Sequence, residues 1–127
     1  MNQFFILLCM LFCHVIDDYY LQGILAQMKQ KDWWKQNAPH QMYRYDYLMA
    51  LSIHSFSWAF IVMSPIAIYG IICKTLHFKY FIFLLINMIM HMLIDDAKAN
   101  RKRINLTQDQ CLHIMQIINT WYYLVCI

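Results

Sequence analysis

Four apolar stretches separated by polar, basic segments organise this chain: roughly residues 4–22, 47–73, 78–97 and 110–127. Each approaches the roughly 20 residues that a helix needs to cross the hydrocarbon core of a bilayer. Lipid offers no partners to free amides, so a crossing segment closes its hydrogen bonds internally and the backbone is predicted to be helical. The second stretch is long and carries Ser64-Pro65, which predicts a kink or tilt. A hairpin turn is expected at Lys74 to Lys79, and a short interfacial helix around Lys29 to Gln36 in the first connection. The first run ends in CHVIDDYY, not in a small-residue cleavage site, and no basic residue precedes it, so it is expected to stay as a helix. The predicted fold is all-α: one transmembrane domain over residues 1–127, a four-helix bundle running up-down-up-down, with connections at 23–46 and 98–109.

Composition supports a membrane setting. Hydrophobic residues make up 61% of the chain and charged residues 13%, with mean hydropathy +0.41, far from the balance of soluble domains. The net charge of +3 does not point to nucleic acid, because the basic residues cluster between apolar runs where head groups and topology account for them. Lys29, Lys31, Lys35 and Arg44 fall in the first connection, Lys98, Arg101, Lys102 and Arg103 in the third, and only Lys74 and Lys79 in the second. The positive-inside rule then places the first and third connections in the cytoplasm and both termini outside, as in a bacterial inner membrane. Trp33, Trp34, Tyr43, Tyr45 and Tyr47 would lie at the inner head-group level, and Trp121 to Tyr123 at the outer. The five cysteines form no CxxC pair, which argues against a disulfide framework or a thiolate zinc site. The ten methionines read as packing filler.

The polar residues inside the apolar stretches fall on stripes. His14, Asp18 and Gln22 recur every fourth residue, on one face of a helix and about 6 Å apart per step. Asn87, His91, Asp95 and Lys98 form a second stripe, and Asp109, His113 and Gln116 a third, with His54 near the start of the second stretch. In an up-down-up-down arrangement all of these groups arrive at the same, cytoplasmic, end. One HxxxD pair reads as a helix-surface hydrogen bond; three pairs and His54 at one depth read as ligands. An unpaired Asp at mid-membrane costs on the order of 2.5 to 3.5 kcal/mol, and imidazoles with carboxylates at this spacing suit a divalent transition metal. His14, Asp18, His54, His91, Asp95, Asp109 and His113 are therefore the candidate ligands, for one or two ions, zinc before manganese or iron. Asp17 and Asp96 stand off the stripes, as solvated head-group residues or outer acceptors, and His40 and His77 fall in connections.

The chain contains no Glu, so Asp18, Asp95 and Asp109 are the candidate catalytic acids and bases beside a water activated by the ion. Gln22, Lys98 and Gln110 are candidate substrate contacts, with Asn87 as an orienting group. The leading reading is a metal-dependent hydrolase at the cytoplasmic face, its partners the bilayer and a phosphate-bearing small molecule or lipid head group. The alternative is a small metal-ion or proton transporter using the same cluster. A transporter should carry polar residues through both leaflets, whereas the outer halves here hold little beyond Asn119, Thr120 and Ser64. A membrane adaptor without chemistry ranks below both.

The order H-x3-D-x3-Q, H, H-x3-D-x2-K, D-Q-x2-H, carried by HVIDDYYLQ, His54, HMLIDDAK and DQCLH, covers nearly the whole chain. It resembles the bacterial and phage membrane proteins classed as domain of unknown function 3307. More loosely, it is similar to the membrane-bound metal-dependent hydrolases of bacterial inner membranes, which share intramembrane HxxxD helices. The resemblance implies a membrane-embedded metal site and no substrate, and the long aromatic first connection departs from it.

Overall fold

The computed structural model describes residues 2–127, which are mostly helical with no strand among them. Helix α1 spans Gln3–Ile16 and begins under Asn2, whose side chain accepts a hydrogen bond from the Phe4 amide at 3.1 Å. It continues into one π-helical turn, Asp17–Leu21, that ends before Gly23 at φ +50°, a backbone conformation natural to glycine. The first connection holds the short helices α2 (Leu25–Met28) and α3 (Lys31–Asn37) and a 3₁₀ turn, Gln41–Tyr43. Then come α4 (Asp46–Ile72), α5 (Lys79–Ala99) and α6 (Leu106–Trp121), the last extended by a π turn over Tyr122–Cys126.

These bounds differ from the sequence reading mainly at α6, expected from 110 and found from Leu106. Asn105 and Gln108 form a capping box, each side chain bonding the other's backbone N–H at 2.9 and 3.0 Å, and this fixes the earlier start. A short helix, α3, stands where one is expected at 29–36, and α2 precedes it without a counterpart in the sequence reading. α4 is helical from Asp46 to Ile72 without a break at Pro65. Proline cannot donate to the carbonyl of Ile61, and the Ser64 hydroxyl takes that place at 2.7 Å. The hairpin between α4 and α5 closes on Gly70, whose carbonyl accepts the Thr75 amide at 2.7 Å. A Cβ there would sit 3.2–3.3 Å from Leu76.

α1 and α5 each pack against both α4 and α6, while α2 and α3 lie on α4. Ile6 and Met10 of α1, Trp58, Val62, Met63 and Ile66 of α4, Tyr80 of α5 and Ile117 of α6 meet in the core. The outward faces are apolar too: Phe4, Leu8 and Phe12, then Phe56 and Phe60, then Phe81 and Leu85 are all more than half exposed. Three segments, Gln3–Leu21, Gln41–Ile72 and Lys79–Ala99, are long and apolar enough to cross a membrane. α6 is not among them, since Gln108, Asp109, Gln110, His113 and Gln116 fall within its 16 residues. Large apolar faces of this extent are costly in water and at home in lipid.

Candidate metal centre

The packing of the four long helices brings together one polar cluster. His14 comes from α1, Asp17 and Asp18 from the π turn that follows it, His54 from α4, His91 and Asp95 from α5, and Asp109 and His113 from α6. All are buried, His54, His91 and His113 completely. The π turn adds a residue to the helix cycle, and both Asp17 and Asp18 end up inward, at 1% and 9% exposure.

At the centre, Asp18 Oδ1, His54 Nε2 and His91 Nε2 are separated by 3.6, 3.9 and 3.2 Å. Three atoms so spaced leave a point about 2.1 Å from each, the length of a zinc bond to imidazole or carboxylate. Asp95 Oδ2 stands 3.3 Å from His54 Nε2 and 3.7 Å from His91 Nε2. Its other oxygen lies 3.2 Å from His113 Nε2. His91, Asp95 and His113 thus make a second group whose ligand atoms lie within 4.8 Å of one another, sharing His91 with the first. Either group can hold a metal ion.

The buried charges are unevenly compensated. Lys29 Nζ reaches Asp95 Oδ2 at 2.6 Å and Lys98 Nζ reaches Asp109 Oδ2 at 2.7 Å. Among the described residues, Asp17 and Asp18 have no lysine or arginine partner; Asp17 accepts from the Ser57 hydroxyl at 2.9 Å and Asp18 from the Gln110 amide at 3.4 Å. Asp17 Oδ2, Asp18 Oδ1 and Asp109 Oδ1 are buried with no hydrogen-bond partner, as are the Nδ1 atoms of His54, His91 and His113. Each such atom ordinarily costs on the order of 1–3 kcal/mol. A divalent cation between Asp18, His54 and His91 matches both the geometry and the uncompensated charge. Asp17 Oδ2, 3.7 Å from His54 Nδ1, is then placed as the carboxylate that orients the ligand's ring.

His14 and Asp109 are brought to the cluster but stand outside both groups. The Trp58 indole, which can only donate, gives its N–H to His14 Nδ1 at 2.9 Å. His14 Nε2 therefore carries the ring proton and donates to Gln110 Oε1 at 3.1 Å, so both its nitrogens are occupied by protein. Asp109 Oδ1 is 3.5 Å from His113 Nε2. Of the expected substrate contacts, Gln22 bonds the Asp18 carbonyl and accepts from Lys29 at 3.0 Å, Lys98 holds Asp109, and Gln110 ties His14 to both Asp18 and Asp109. Gln22, Lys98 and Gln110 also line an open cleft of about 230 Å³ that reaches Asp18 and Asp95. Asn87 lies deeper, bonded to α6.

Asp17 and Asp96 are not solvated: the helices bury both, and Asp96 takes Arg101 at 2.7 Å and Asn100 at 2.9 Å. Two participants escaped the sequence reading. Lys29, taken only as a topological signal, folds back from the first connection to Asp95. Trp58 stacks on His91 at 4.1 Å and lies 5.5 Å from His113, which is itself 4.2 Å from His91; its signal was its place one helical turn after His54. His40 and Asp32 stay in the exposed first connection, where the Lys35 ammonium, 3.0 Å away, holds the Asp32 carboxyl below its usual range.

No family model, no curated protein and no solved structure matches this chain.

Proposed function

We propose that the protein is an integral membrane metalloenzyme, a hydrolase working at the cytoplasmic face of a four-helix bundle whose termini both lie outside. The observation that carries this reading is Asp18 Oδ1, buried without a partner and set with two imidazole nitrogens at bonding distance from one common point, beside an open cleft. Three protein ligands with one direction left open is the pattern of catalytic rather than structural zinc. Asp18, His54 and His91 hold the ion, and Asp17 orients His54. The bound ion supplies Lewis acidity toward the scissile group. Asp95 and Asp109, each beside a lysine, are placed to hold or pass a proton, and Lys98 with Gln22 and Gln110 lines the route for an anionic substrate. Trp58 walls the site from the apolar core. The resemblance to the domain of unknown function 3307 proteins and to the membrane-bound hydrolases supports this reading without naming a substrate.

The test is a screen of metal-loaded protein in nanodiscs against phosphorylated metabolites and lipids, with Asp18→Ala as control. Turnover that disappears in the control is expected. Topology is tested separately with single cysteines at positions 35 and 102; labelling from outside intact cells would put the site on the wrong face.

One finding favours a second reading, a metal-ion or proton transporter. Polar side chains continue past His113 without interruption, through Gln116 and Asn87 to Thr120 in the apolar half, and Gln116 Oε1 is buried and unpaired. Ile6, Ile66 and Ile117 are buried in the same core. Metal flux into sealed liposomes without turnover of any substrate would favour transport.

A further inference from the structure

A second cavity, of about 480 Å³, lies in the first connection, away from the His and Asp cluster. Its walls carry Lys31, Lys35 and Arg44 with Trp34, Tyr43 and Tyr47, and no carboxylate is among its lining residues. Tyr47 is its buried floor, at 8% exposure, and the Lys31 ammonium stands 4.8 Å over that ring. Trp34 and Tyr43 stack at 6.4 Å and 21° to form one side. Lys35 is shared with Asp32 outside the cavity, but among the described residues neither Lys31 nor Arg44 has a carboxylate partner. Nor does any hydrogen bond engage the hydroxyls of Tyr43, Tyr45 and Tyr47 there. The cavity therefore presents three cations and free hydroxyls with no carboxylate among its lining, a charge balance that selects an anion with several oxygens.

Its position narrows the anion. Tyr47, in the first turn of α4, lines the cavity, and from there the chain turns apolar, with Leu48, Met49 and Ile53 exposed along the helix. A phosphate seated between Lys31 and Arg44 would stand at head-group level, with room for acyl chains along those residues. Aromatic rings and basic side chains at that depth are the usual anchors for anionic head groups.

We propose that this cavity is a binding site for the phosphate head group of an anionic phospholipid drawn from the surrounding leaflet. The lipid clamps the first connection to the membrane, and Lys29, which reaches Asp95, leaves from the same connection. The assignment does not depend on the metal site.

Native mass spectrometry of the intact protein, released from nanodiscs of equal phosphatidylglycerol and phosphatidylcholine, tests it. One phosphatidylglycerol is expected to be retained per chain in preference to phosphatidylcholine. The Lys31→Ala/Arg44→Ala variant should lose at least tenfold in retention, while Lys74→Ala/Lys79→Ala keeps it. Metal content, measured on the same samples, should stay unchanged, which separates failure here from failure of the metal reading. Equal retention of both lipids, retention by the double variant, or displacement of the lipid by millimolar inorganic phosphate would overturn the assignment, the last by showing a site for free phosphate.

Discussion

Two buried polar clusters sit in these apolar helices, and they are built on opposite terms. The one around Asn87 is neutral and nearly closed. The Asn87 amide donates to the Thr120 hydroxyl at 2.8 Å and to the Phe83 carbonyl at 2.8 Å, Gln116 donates to Asn87 Oδ1 at 2.8 Å, and only Gln116 Oε1 lacks a partner. The one around His91 is charged and open, with three carboxylate oxygens and three imidazole nitrogens unmatched. A polar group in an apolar interior must find a partner. The Asn87 cluster finds its partners within the protein and so ties α5 to α6. The His91 cluster has more carboxylates than cations: Lys29 and Lys98 meet Asp95 and Asp109, and among the described residues no lysine or arginine meets Asp17 or Asp18. Side chains alone all but complete the first; the second has the ligand atoms to take up an ion.

Substitutions can break this contrast. The largest effect is expected for His91→Ala, which removes the ligand common to both groups and opens a void beside Trp58 and His113. Metal affinity should fall by more than the roughly 10- to 100-fold typical of outer residues, as read by titration with a competing chelator. Asp17→Asn comes next: it keeps the shape beside His54 and removes the orienting charge, so affinity should drop within that roughly 10- to 100-fold range. Asn87→Leu should leave metal binding intact and lower stability by about 0.6 to 2 kcal/mol, the range for hydrogen bonds between membrane helices, measured by reversible unfolding in mixed micelles. The smallest effect belongs to Asp32→Ala, whose carboxylate is exposed and paired only with Lys35 and Lys102; neither metal content nor stability should change measurably. Equal loss of metal in Asn87→Leu and His91→Ala would erase the distinction between the clusters.

Much of the charged cluster was legible because the four-residue spacing survives folding: Asp18, His54, His91, Asp95 and His113 meet where their stripes cross. The excess of polar groups at one end was legible for the same reason. The π turn was not, since nothing local in DDYYL announces an added residue, and it is this turn that accompanies the burial of Asp17 beside Asp18. Nor was the division of labour among the histidines. His14 sits on its stripe like a ligand, but Trp58 from α4 and Gln110 from α6 take its two nitrogens, and such contacts between distant segments leave no trace in spacing. Lys29 was legible only in part on similar grounds: a lysine in a basic connection reads as a topology signal, and its contact with Asp95 emerges only when the chain folds. The capping box at Asn105 and Gln108 was readable and would have moved the start of α6 to its observed place.

The central claim is that the excess of carboxylates over cations around Asp18, His54 and His91 is met by a divalent ion. Elemental analysis of the protein purified in detergent without chelator, beside Asp18→Ala and His91→Ala, tests it most directly. One or two equivalents of a transition metal, zinc foremost, are expected in the parent protein and are lost from both variants while Asn87→Leu retains them. A parent protein that stays metal-free after incubation with zinc, manganese and iron, or variants that keep a full equivalent, would contradict the account.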